Sequence, residues 1–197
     1  MTGSAATKGT PMPRLIYSAI VSLDGYHVDR DGGFAWAEPG AEAFAFITAL
    51  EKPVGTYLYG RRVYETMAVW ETDPTFAEHS PALREFADVW QAAEKVVYST
   101  TLAAASTTRT RIEREFDPDT VRGLKATAAT DLGIGGPTLA AHALRAGLVD
   151  EIQLYLAPCV VGGGAPYLPA DVAIGLELTD HRRFPDGMVH LRYDVRT

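Results

Sequence analysis

The stretch LGIGGPTLAAHALRAGLVDEIQLYLA, Leu132 to Ala157, decides the fold. A short apolar run ends in Gly135-Gly136, and Pro137 stands where a helix begins. Leu139, Ala143 and Leu144 then recur at helical spacing as far as Gly147, which occupies the position a helix C-terminus favours. Glu151 to Ala157 alternates as a strand. Strand, glycine turn, helix and strand in succession belong to α/β architecture with a parallel sheet.

The same alternation extends upstream. Arg14 to Ser22 (RLIYSAIVS) is β-branched and aromatic, reads as a buried first strand, and runs into the turn Leu23-Asp24-Gly25. After a loop at Asp29–Gly33, Pro39 marks a helix start, and Ala43, Phe44, Ile47 and Leu50 carry a first helix to about Lys52-Pro53. Thr56 to Tyr59 is a second strand, after which Gly60-Arg61-Arg62 opens a helical stretch through Tyr64 and Met67. Ser80-Pro81 predicts an N-cap for a helix with its core stripe at Leu83, Phe86, Ala87 and Trp90. Lys95 to Tyr98 is a third strand leading into Ser99-Thr100-Thr101, and Asp117-Pro118 starts a helix that ends around Ala126. Downstream, Gly162-Gly163-Gly164 reads as a flexible turn, and Leu176–Phe184 and Met188–Arg196 flank the hairpin signal Pro185-Asp186-Gly187. The expected architecture is a mostly parallel central sheet with an antiparallel C-terminal hairpin.

Length and composition bound the function. A chain of 197 residues, 47% hydrophobic and 22% charged, suits one domain, expected over residues 14–197 behind a disordered tail at 1–13. A net charge of -7 offers no field for nucleic acid, so any phosphate ligand needs a local cationic pocket. Cys159 is the single cysteine, and the five histidines show no metal-ligand spacing, so no metal is expected. No apolar run reaches membrane-spanning length, and a cytoplasmic location is expected.

Two glycine-led junctions, Gly60-Arg61-Arg62 and Gly135-Gly136-Pro137-Thr138, put a strand end against a helix start. Glycine permits close approach of a ligand, and free N–H groups of the first helical turn attract phosphate. Each by itself is equally an ordinary tight turn between strand and helix. Neither has the dinucleotide G-x-G-x-x-G spacing or the phosphate-loop lysine.

Taken in order, SLDG (Ser22 to Gly25), Trp36, GRRVYE (Gly60 to Glu65), KVVYSTTL (Lys95 to Leu102), GGPTLAAHAL (Gly135 to Leu144) and the segment Gly147 to Leu168 resemble the dihydrofolate-reductase-like superfamily. Within it the sequence is most similar to the bacterial riboflavin-biosynthesis reductase domain and its stand-alone relatives. The resemblance implies a three-layer α/β/α fold, NADPH as cofactor, and hydride transfer to a small heterocycle, pteridine- or ribosylaminopyrimidine-like. It also implies a homodimer, for which Ile152, Leu154, Leu156 and Val160 offer more apolar surface than one strand face needs. A nucleotide-binding sensor or resistance protein with the same site is the alternative.

By the same resemblance, Gly60, Arg61, Arg62 and Val63 contact the cofactor phosphates. Ser99, Thr100 and Thr101 match the loop at the adenosine 2′-phosphate, with Thr100 where many relatives carry arginine. Gly135, Gly136, Pro137, Thr138 and Leu139 match the pyrophosphate turn, and Ala19 and Ile20 the strand end beside the nicotinamide. Authentic dihydrofolate reductases place a carboxylate where Ala41 stands in Trp36-Ala37-Glu38-Pro39-Gly40-Ala41, which speaks against dihydrofolate as substrate. Glu42, about 100° further round the helix, and Asp24 are the catalytic candidates. Asp24 is equally a turn residue and Trp36 equally a core aromatic, while Ser22, Trp36 and Tyr155 are the expected substrate contacts.

Overall fold

The computed structural model describes residues Met12–Arg196; most of the expected tail, residues 1–11, and Thr197 lie outside the described residues. In chain order the strands are β1 (Leu15–Ser22), β2 (Tyr26–Val28), β3 (Val54–Gly60), β4 (Glu94–Tyr98), β5 (Thr110–Glu113), β6 (Asp131–Gly135), β7 (Glu151–Ala157), β8 (Ala165–Pro166), β9 (Leu176–Arg183) and β10 (Val189–Val195). The helices are α1 (Ala41–Glu51), α2 (Arg61–Met67), α3 (Val69–Thr72), α4 (Pro74–Glu78), α5 (Pro81–Ala92), α6 (Pro118–Thr127) and α7 (Pro137–Arg145).

Eight strands form one sheet in the order β5-β4-β3-β6-β1-β7-β10-β9. All neighbours from β5 to β7 pair in parallel, and β10 runs antiparallel to both β7 and β9. Helices cover both faces, giving the expected dihydrofolate-reductase-like three-layer α/β/α arrangement. On one face Phe44 and Ile47 of α1, Tyr64 of α2, and Phe86 and Trp90 of α5 pack with Tyr57, Tyr59 and Val97. On the other, Val121 of α6 and Leu139, Ala140, Ala143 and Leu144 of α7 pack with Leu15, Tyr17, Leu58, Leu132 and Ile152. Among the described residues no helix is long and apolar enough to cross a membrane.

This order creates one switch point. The chain leaves β1 through α1 on one face toward β3, and leaves adjacent β6 through α7 on the other face toward β7. Crossovers that depart in opposite directions leave a crevice at the carboxyl ends of the two strands, where α/β proteins bind ligands.

Local chemistry accounts for the helix starts. Ser80 Oγ accepts the Leu83 N–H at 3.2 Å, and Asp117 accepts from Asp119 and Thr120, each cap followed by proline. α1 begins at Ala41, two residues after Pro39, because Gly40 is still extended. Several short elements were not expected, among them the paired strands β2 and β8. β5 is an edge strand with charged residues and a single neighbour, and α3 and α4 hold only four and five residues.

The apolar excess read on β7 is used inside the chain: Ile152 is buried, and Leu154 and Leu156 pack against the main core, leaving only Val160 strongly exposed. Those three residues therefore say nothing about a second copy.

Candidate cofactor and substrate site

The two glycine junctions are one structure. Tyr59, the residue before Gly60, pairs with Gly135 across β3 and β6, and a Cβ on Gly136 would lie 3.8 Å from the Gly60 nitrogen. Gly136 has φ +99°, a conformation that favours glycine. Gly135 is required by packing, since a Cβ there would meet the Tyr59 ring at 2.8 Å and Val63 Cγ1 at 3.2 Å. Val63 thus braces the turn from below, and Leu139 is part of the core under it. Pro137 opens α7, Thr138 is exposed beside it, and no side chain caps the helix.

The loop after β4 completes this edge. Ser99 is buried, and its Oγ accepts the N–H groups of Thr101 at 3.3 Å and Leu102 at 3.0 Å, which leaves Thr100 and Thr101 on the surface. Arg61 Nη1 donates to Thr101 Oγ1 at 2.8 Å while its Nε donates to Glu65 at 2.7 Å. Arg62 is exposed and has no carboxylate partner among the described residues. A third arginine was not anticipated: Arg114 Nη1 donates to the carbonyls of Ser99 and Leu102, both at 2.8 Å. Its only sequence signal was a charged tetrapeptide, TRIE, too short and polar to read as a strand.

At the carboxyl end of β1, Ala19 turns toward the α7 face and Ile20 toward α1. Ser22 is fully buried and its Oγ accepts the Tyr26 N–H at 3.0 Å, so it shapes the turn. The Asp24 carboxylate accepts the N–H groups of Val161 at 3.1 Å and Gly162 at 2.8 Å. The Ser22 hydroxyl and these two amides hold its carboxyl below the ordinary value. Arg30 Nη2 donates to the Gly162 carbonyl at 2.6 Å, and Gly164, at φ +136°, lies against the Val28 carbonyl. The loop expected to be flexible is therefore clamped from three sides.

Glu42, in the first turn of α1, is exposed and paired with Arg182 at 2.7 Å. Trp36 sits in a 3-10 turn, Ala35–Ala37, with its Nε1 buried and without a hydrogen-bond partner among the described residues. His27 Nδ1 is in the same condition, and burial lowers the pKa of its ring. Tyr155 requires a correction. It is 1% exposed, its hydroxyl donates to Gln153 at 3.2 Å and its ring packs on His190, so it supports the sheet behind Ile20 and does not reach a substrate.

Residues 13–190 match the model of the RibD C-terminal domain. The chain belongs to that family. A relative of this RibD C-terminal domain in Bacillus subtilis, the uncharacterized protein YyaP, is 27% identical over 197 residues, covering 95% of this chain and 97% of its own. Among solved structures, a putative riboflavin biosynthesis protein from Shewanella sp. PV-4 superposes with a TM-score of 0.73 at 20% identity, over 93% of this chain and 99% of that one. A diaminohydroxyphosphoribosylaminopyrimidine deaminase/5-amino-6-(5-phosphoribosylamino)uracil reductase from Thermotoga maritima superposes with a TM-score of 0.61 at 12% identity, over 94% of this chain and 57% of that one. At such identities the structural likeness speaks for the fold alone. In this RibD C-terminal domain the β1 end, the joined glycine turns and the Ser99 loop line one sheet edge, while Glu42 and Asp24 are each committed to partners within the chain.

Proposed function

We propose that this domain is an NADPH-dependent reductase of a small heterocycle of the ribosylaminopyrimidine type. The observation that carries the reading is the convergence of the Gly136 turn, the Arg61-Arg62 pair and the Ser99–Leu102 loop at the carboxyl ends of adjacent parallel strands.

The donor set fits the cofactor. Gly136 presents backbone without a side chain, the first turn of α7 is uncapped, and Arg61 and Arg62 supply cationic charge in an otherwise acidic protein. NADPH, when bound, supplies the hydride. The chain's own residues orient the partners: Ala19 and Ile20 wall the switch-point crevice, and the unsatisfied Trp36 Nε1 provides a donor for a polar substrate edge. Neither carboxylate candidate is free of partners within the chain. Hydrogen bonds hold the Asp24 carboxyl below its ordinary value and Glu42 is turned to Arg182, so water reaching the end of β1 is the proton source in this reading.

The test follows NADPH absorbance with 5-amino-6-(5-phosphoribosylamino)uracil and, separately, with dihydrofolate. Consumption with the first and little with the second is expected, whereas consumption with neither, despite tight NADPH binding, would support the alternative of a nucleotide-binding sensor. The commitment of both carboxylates is what favours that second reading.

A further inference from the structure

We propose that Arg114 is a specificity-determining residue that selects NADPH over NADH, an inference that rests on the reductase reading above. Three observations lead to it. First, Arg114 lies at the end of β5, the strand paired in parallel with β4, and its Nη1 bridges the carbonyls of Ser99 and Leu102 at the two ends of the loop. Those two bonds spend both protons of Nη1. The Nε–Nη2 edge of the guanidinium is left, which is the planar fork that matches two oxygens of a phosphate.

Second, among the described residues Arg114 shares with Arg62 the lack of a carboxylate partner, while the other neighbouring arginines are paired. Arg61 is paired with Glu65 at 2.7 Å and Arg111 with Glu113 at 3.2 Å, whereas Arg114 is exposed and has no carboxylate partner among the described residues. A guanidinium with no ion-pair partner of its own, in a chain of net charge -7, adds at this loop cationic charge that Arg61, tied to Glu65, supplies only in part. Third, the loop it holds is built to face outward. Ser99 Oγ takes the Thr101 and Leu102 amides, Arg61 takes the Thr101 hydroxyl, and the surface of the loop lies between Arg61 and Arg114.

Arg114 thus does two things with one side chain. It fixes the turn through backbone carbonyls, and it carries charge to the turn from a different strand. A lysine could supply the charge and bond the carbonyls through its ammonium, but it would leave no second, planar fork for a phosphate.

The experiment titrates 2′,5′-ADP, 5′-AMP, NADPH and NADH by calorimetry against the wild type, Arg114→Ala and Arg114→Lys, with thermal melts confirming that each variant is folded. Arg114→Ala is expected to weaken 2′,5′-ADP and NADPH about 10-fold or more, and 5′-AMP and NADH less than about 2-fold, with Arg114→Lys in between. An equal loss for the ligands with and without the 2′-phosphate, or no loss, overturns the specificity role while leaving the reductase reading intact. Failure of the wild type to bind either NADPH or 2′,5′-ADP overturns the cofactor reading itself.

Discussion

Asp186, in the turn of the C-terminal hairpin, caps the first helix of the chain: its Oδ2 accepts the Gly40 N–H at 2.7 Å across 146 residues of sequence, while its Oδ1 accepts the Met188 N–H at 3.0 Å. A Cβ on Gly40 would lie 2.7 Å from that same oxygen, so the glycine permits the contact. The seam continues through Phe46, which meets Phe184 at 5.3 Å and lies under Arg182. α1 is held against its face of the sheet by this hairpin.

Asp186→Ala is therefore expected to destabilise the domain by about 1 kcal/mol, the worth of a helix cap, and to lower Tm by roughly 2–4 °C. Asp186→Asn keeps one acceptor and should lose less. Urea unfolding of the two variants checks the order, and a larger loss for asparagine than for alanine would contradict it.

Glu51, at the end of α1, accepts the Tyr57 hydroxyl at 3.0 Å, and desolvation pushes its carboxyl up to about 7 against the partial opposition of that bond. The folded value lies above the unfolded one, so the folded state holds the proton more tightly. The resulting penalty is absent below pH 4.5, grows as pH rises, and is complete above about pH 7. Glu51→Gln should unfold at a higher urea midpoint than wild type at pH 8, with the difference shrinking at pH 5. A difference independent of pH would show that the carboxyl titrates normally.

Asp24→Ala should release the Val161 and Gly162 amides. The expected readout is faster hydrogen exchange in the 161–164 segment, with the exchange of β1 unchanged. If Asp24 also serves as the proton donor, the variant would in addition abolish turnover across all pH values.

Of the adjacent arginines, Arg62 has no carboxylate partner among the described residues and Arg61 is tied to Glu65. Arg62→Ala should weaken NADPH by about 10- to 150-fold, the worth of one charge-assisted phosphate contact, and NADH less. Arg61→Ala should cost less than Arg62→Ala because part of its charge is already neutralised. Fluorescence titration of both cofactors at fixed ionic strength reads the difference, and a reversed order would mean that Glu65 orients Arg61 without silencing it.

The sequence by itself determined most elements whose ends carry local chemistry, the Asp73-Pro74 start of the five-residue α4 being the exception. Ser80 and Asp117 announce helices because a short polar side chain before proline satisfies the first free amides, and Pro185-Asp186-Gly187 announces a hairpin because its backbone suits a reversal. The joined glycine junctions were legible as two turns, and the buried apolar runs as parallel strands. What only the tertiary structure decided is adjacency. That β6 inserts between β3 and β1, bringing Gly136 to Gly60, follows from strand order, which no local pattern encodes. Asp24 meets Val161 and Gly162 across 137 and 138 residues, and Arg114 meets Ser99 through an edge strand too short to show a period. Tyr155 as a substrate contact was an expectation of the resemblance alone; that it packs with Ala43, Phe184 and Met188 follows from β7 lying between β1 and β10, an adjacency no local pattern encodes.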